Sequence, residues 1–204
     1  MCKADRVEIR ISPTILLILA VFIFMASSEC LAAVLVAVVC HEAGHYLLLR
    51  LWGGSVRRVE ISAFGVKMEM QDSDRLSYSR EIAAVAAGPG MNLIAAVFLL
   101  RLAGGGETSC LFAGAQLVLG GFNLLPLAIL DGGRLLWLLV SYFFDPNLAD
   151  RVAGGANMGC MLLLMGIGIW VQATTGMPFL LIAAFGGLWL TFRELGLAKR
   201  REKG

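Results

Sequence analysis

His41, Glu42 and His45 form a His-Glu-x-x-His pattern inside the apolar run from Leu31 to Leu51, and they include both histidines of the chain. On an α-helix, residues four apart stand one above the other, so the two imidazoles can be offered to one metal ion. Glu42 follows the first ligand directly. Its carboxylate can reach a water on that metal, an arrangement used by zinc hydrolases. Two histidines at helical spacing can also be ordinary core residues. The cost of placing His and Glu in a bilayer argues otherwise, because ionisable groups at that depth are functional by default.

Catalytic zinc normally takes three protein ligands and keeps one position open. The carboxylate that a two-histidine site lacks is offered by Asp131, within Asn123-Leu124-Leu125-Pro126-Leu127-Ala128-Ile129-Leu130-Asp131-Gly132-Gly133-Arg134. The surrounding segment, Cys110 to Phe144, is apolar almost throughout. As one straight helix its length would be roughly 50 Å, too long for an ordinary crossing. Pro126 and the Gly132-Gly133 pair can each interrupt a helix, and irregular backbone inside a membrane is tolerated only when buried in protein or lining a wet cavity. A broken helix that carries Asp131 into such a cavity is the expectation.

The elements that must hold these groups follow from composition. The chain is 58% hydrophobic and 16% charged, with several apolar stretches long enough to cross a hydrocarbon core of roughly 30 Å. It reads as an all-α polytopic membrane protein of about six transmembrane helices, with a small β-sheet insertion after the second and a break in the fourth. The 204 residues form one expected domain, with a core over about 30–145 and no attached soluble module. The first span is Ile11 to Ala26, retained because no clear small-residue cleavage site follows the charged start. The second is about Cys30 to Trp52. At 1.5 Å per residue, the distance from His45 to Arg50 puts the motif roughly 5–15 Å below the charged boundary.

Between the second and third spans, Ser55 to Arg80 changes pattern. Val59, Ile61 and Ala63 alternate with Glu60 and Ser62, and Val66, Met68 and Met70 with Lys67 and Glu69. This predicts two short strands about Phe64-Gly65. The third span, Glu81 to Leu102, contains Gly88-Pro89-Gly90-Met91-Asn92, whose small residues permit close helix approach and whose Asn92 needs a polar partner in lipid. The last two spans, about Val152 to Val171 and Pro178 to Phe192, read as scaffold, giving C-terminal helices over about 152–192.

Charge orients the chain. With six spans, Lys3, Arg6 and Arg10, the Arg50 to Arg80 stretch, Arg151, and the tail with Arg193, Lys199, Arg200, Arg201 and Lys203 share one side. The opposite loops hold almost no Lys or Arg, so the positive-inside rule puts both termini, the strand pair and the near face of the metal site in the cytoplasm. A net charge of +2 gives no reason to expect a nucleic-acid partner. Cys2, Cys30, Cys40, Cys110 and Cys160 are scattered and never spaced Cys-x-x-Cys, so they frame neither a disulfide scaffold nor a thiolate metal site.

Taken together, His41-Glu42-x-x-His45, the later Gly88-Pro89-x-x-Asn92, and Asn123-x-x-Pro126 leading to Leu130-Asp131-Gly132 resemble the site-2 protease family of intramembrane zinc metalloproteases. The short chain with a strand pair straight after the motif is most similar to its prokaryotic, sporulation-type branch, whose known members release a membrane-tethered pro-sigma factor. The resemblance spans roughly residues 30 to 145. It implies one Zn2+ per chain held by His41, His45 and Asp131, with Glu42 as catalytic acid and base and Asn123 holding the scissile peptide or its oxyanion. It further implies a membrane-tethered protein substrate with one transmembrane helix, and residence in a prokaryotic cytoplasmic membrane. Asn92, with Val66 and Met68 on an exposed strand edge, is expected to contribute to substrate binding. Assembly into a homo-oligomer is left open.

A second class, a membrane metal transporter or sensor without hydrolytic activity, shares broken helices and midplane ions. Glu42 separates the two. A transport site has no need of a carboxylate immediately after the first histidine, and the chain has no internal repeat.

Overall fold

A computed structural model of the chain describes residues 8–11, 27–52, 56–62, 65–70, 77–102 and 106–176. The elements in order are β1 (Glu8–Ile11), α1 (Ser28–Leu51), β2 (Val56–Ser62), β3 (Gly65–Met70), α2 (Tyr78–Leu102), α3 (Glu107–Asn123), α4 (Asp131–Phe143) and α5 (Pro146–Thr175). They fall into two compact units, Met1–Asn123 and Leu124–Gly204. Among the described residues, three helices are long and apolar enough to cross a membrane: Ser28–Leu51, Tyr78–Arg101 and Pro146–Thr175. Of the expected first span, Ile11 to Ala26, Ile11 belongs to β1 and the rest lies outside the described residues, as does the expected last span, Pro178 to Phe192.

In the first unit the helices are built inside out relative to a water-soluble protein. The buried positions of α1 are Ala33, Ala37, His41, Gly44 and Leu49, mostly small, whereas Val39 is 67% and Leu51 77% exposed. On α2 the inner positions include Ala84, Gly88, Asn92 and Ala96, and Leu93, Ile94, Val97 and Phe98 face outward. α3 buries Ala113, Gln116 and Gly120. Small residues inside and large apolar ones outside are what a lipid solvent favours, since helices gain there by close backbone approach and not by hiding leucines from water. The closeness is measurable. A methyl built on Gly44 would meet the Ala87 carbonyl carbon at 2.9 Å, and one on Gly120 would meet the Asn92 Cβ at 3.0 Å.

The ends of α1 show why it starts and stops where it does. Ser27 caps it by accepting from the Cys30 N–H at 3.3 Å, and Glu29 and Arg50 complement the helix dipole at its two ends. Beyond it, β2 pairs antiparallel with β3, in a register that sets Ile61 opposite Val66 and Val59 opposite Met68. β1 runs parallel to β2 on its other side, so the order among the described strands is β1-β2-β3, with β1 and β3 at the edges.

In the second unit α4 and α5 pack together, and the Trp137 Nε1–H donates to Asp150 Oδ1 at 2.7 Å. α5 starts at Pro146, earlier than expected from hydropathy. Asp145 caps it by accepting from the Asn147 N–H at 3.0 Å, Pro146 takes the first turn where a missing N–H costs nothing, and Gly176 closes it at φ 71°. Asp150 and Arg151 therefore lie inside the helix. The chain is irregular from Leu124 to Leu130, as Pro126 implies. Gly132 and Gly133, read from sequence as helix breakers, sit instead inside the first turn of α4 and are buried. Their lack of Cβ has another cause. A methyl on Gly132 would collide with the Leu124 and Leu125 carbonyls, and one on Gly133 would reach the Ala128 nitrogen at 3.0 Å, because the loop lies directly on that turn.

Candidate metal centre

His41 is buried and His45 half-buried, one turn apart on the face of α1 that packs against α2. Each imidazole is held through Nδ1. The His45 Nδ1–H donates to the Ala84 carbonyl on α2 at 2.8 Å, and the His41 Nδ1–H donates to Asn92 Oδ1 at 3.1 Å. A carbonyl oxygen can only accept, so Nδ1 must carry the proton on His45. For His41 the same follows from the rest of the Asn92 side chain. Its Nδ2 donates to the Ala37 carbonyl on α1 at 3.3 Å and to the Gln116 carbonyl on α3 at 3.4 Å. Turning the amide round would set its oxygen against two carbonyls, so the assignment is forced by the bonds.

With both Nδ1 atoms engaged as donors to the protein, the two Nε2 atoms are the ring nitrogens turned toward one another. These two nitrogens lie 3.2 Å apart. That separation suits two ligands of one cation. Tetrahedral zinc with Zn–N bonds of about 2.0–2.1 Å separates two histidine nitrogens by about 3.3 Å, which matches. Fixing the tautomer through the far nitrogen is also the usual support for a metal-bound histidine. The space agrees with the donors. A methyl added to Gly88 would fall against His45 Nε2 and 2.9 Å from His41 Nε2, so the spot between the nitrogens is kept open by a glycine.

α2 is adapted to this role. Pro89 lies within it and removes the helical bond to the Val85 carbonyl, so the ladder is interrupted next to the turn that receives His45. Glu42, half-buried, follows His41 on α1. Asn92 is fully buried, and its amide ties three helices together around His41. Asn123 is the last residue of α3, and its Nδ2 donates to the Leu119 carbonyl of its own helix at 3.1 Å. In the second unit Asp131 is the first residue of α4, half-buried, at the helix end that best accommodates a negative charge. Val66 and Met68 belong to β3, whose backbone alone is described.

Three polar groups that the fold uses were not singled out from sequence. The Ala84 carbonyl carries no side-chain signature. Gln116, 1% exposed, offers its carbonyl to Asn92. Asn157, in an apolar stretch of α5, accepts from the Ala128 N–H at 2.9 Å, and its isolation as a polar residue was the signal available.

Comparison with known proteins gives a consistent picture. Residues 29–106 match the model of peptidase family M50. The chain is 28% identical over 172 residues to stage IV sporulation protein FB of Bacillus subtilis, covering 80% of this chain and 57% of that protein. It is 25% identical over 175 residues to zinc metalloprotease MJ0392 of Methanocaldococcus jannaschii, covering 79% and 51%. The chain thus spans about half the length of these two relatives. A solved structure, the site-2 protease from Methanocaldococcus jannaschii, superposes with a TM-score of 0.64 at 22% identity and covers 93% of each chain, which shows a shared fold. With apolar helices long enough to cross a bilayer and these relatives, the chain is an integral membrane protein that is similar, over residues 29–106, to peptidase family M50 and shares the fold of a site-2 protease.

Proposed function

We propose that the chain is an intramembrane zinc metalloprotease of the His-Glu-x-x-His type, hydrolysing a peptide bond within or near a transmembrane segment of a membrane-tethered protein. The observation that carries this reading is the pair of Nε2 atoms 3.2 Å apart, each ring held by a bond at Nδ1. His41, His45 and Asp131 would hold the ion, a nitrogen, nitrogen and carboxylate set that suits catalytic zinc. A zinc ion held there supplies Lewis acidity and a water acidic enough to ionise near neutral pH. Glu42 takes a proton from the attacking water and returns it to the leaving amine. Asn123, at the end of α3, would steady the scissile carbonyl. Asn92, first expected at the substrate, is better explained as the group that orients His41, given its burial on α2 and its bonds to α1 and α3.

The substrate must unwind before its carbonyl is accessible, because a transmembrane helix bonds its own backbone. The outer edge of β3, with Val66 and Met68, is suited to receive the unwound stretch by main-chain pairing. Six spans, a sheet between the second and third, cytoplasmic termini and a cytoplasmic near face complete the proposal, in one domain over 1–204 with its core at about 30–145. The test is a comparison of Glu42→Gln and His41→Ala. The first should keep roughly stoichiometric zinc and lose most cleavage, and the second should lose both. Equal zinc loss in the two would make Glu42 a ligand and overturn the scheme.

A further inference from the structure

We infer that Asn157, on α5, is a positioning residue for the metal centre, acting through the loop that delivers Asp131. The inference rests on the reading of Asp131 as a metal ligand.

Asn157 is 6% exposed on a membrane-spanning helix, between Ala156 and Met158 and one turn before Met161. A carboxamide buried there is costly unless its polar atoms are matched. Its Oδ1 is matched by the Ala128 N–H, 2.9 Å away and 29 residues earlier in the chain. The loop from Leu124 to Leu130 shows why that bond is needed. Pro126 has no N–H. The Leu127 N–H donates to the Leu125 carbonyl at 2.7 Å and the Leu130 N–H to the Leu127 carbonyl at 2.9 Å. The Ala128 N–H leaves the segment and finds its acceptor on α5.

The same loop is held from another direction by α4. It lies on Gly132 and Gly133 so closely that neither tolerates a methyl. The stretch is thus clamped at Ala128 by α5 and at its carbonyls by the first turn of α4. Asp131 comes three residues after Ala128, within roughly 10 Å of extended chain. Metal ligands tolerate errors of only about 0.2 Å, so a loop free to shift at Ala128 would misplace the carboxylate. α5 is then part of the centre's support and not only scaffold.

Zinc affinity of the full chain, measured by chelator competition, tests this with Asn157→Leu, Asn157→Asp and Asp131→Ala. Asn157→Leu removes the acceptor and should weaken zinc about 10–100-fold, whereas Asn157→Asp keeps an oxygen at the same place and should stay within about threefold. Amide exchange at Ala128 should be slow in the unmodified protein and fast in Asn157→Leu. Unchanged zinc affinity in Asn157→Leu, equal weakening in Asn157→Asp, or fast exchange at Ala128 in the unmodified chain each overturns the inference. Should Asn157→Leu fail to insert, the aspartate variant and the exchange measurement decide it. If Asp131→Ala keeps full affinity, the ligand reading falls and takes this inference with it. If only Asp131→Ala loses zinc, the inference alone falls.

Discussion

Gly88 of α2 lies so close to His45 of α1 that a methyl on its Cα would fall against the imidazole, 2.5 Å from Cε1 and in contact with Nε2. The glycine serves the site by placing no side-chain atom against the imidazoles. Gly88→Ala should therefore abolish zinc binding, by at least about a hundredfold, with every ligand still present, while overpacking costs about 1–3 kcal/mol of stability. Zinc titration beside a thermal melt checks both. Retained zinc would mean that the ion sits away from this nitrogen pair.

Asn92 separates orientation from folding. Asn92→Leu strands the buried His41 Nδ1–H, which costs about 1–3 kcal/mol, and frees the ring to change tautomer. Zinc affinity should fall about 10–100-fold. Asn92→Asp keeps the acceptor but loses the donors to Ala37 and Gln116, so stability should fall while affinity is largely kept. A substrate-binding role would instead raise KM and leave zinc unchanged in both variants.

The charge distribution predicts sidedness. In a cysteine-free background, single cysteines at Ser73 and Ser109 should react with an impermeant reagent from opposite faces, Ser73 from the cytoplasm. Labelling from one face would exclude the six-span arrangement.

β3 offers a test of substrate handling. Proline at Val66 or Met68 removes one backbone donor with little change in polarity. Zinc content and insertion should be unchanged, cleavage of a helical transmembrane substrate should drop, and a short extended peptide should be less affected. A fall in zinc together with activity would make the strands a support for the metal site.

The His41 and His45 pairing was legible in the sequence because it depends only on helical period, and so was the proximity of Glu42 to it. The break near Pro126 was legible for a similar reason, since a missing N–H acts within a few residues. The tautomers of the histidines were not. They are set by Ala84, 39 residues from His45, and by Asn92, 51 residues from His41. A backbone carbonyl has no residue identity to read, and Asn92 carries the same letters whether it meets substrate or histidine. Gly132 and Gly133 show the same limit. Glycine allows both a broken helix and a close approach, and only the tertiary structure, by laying the Leu124 to Leu130 loop against them, decided for approach.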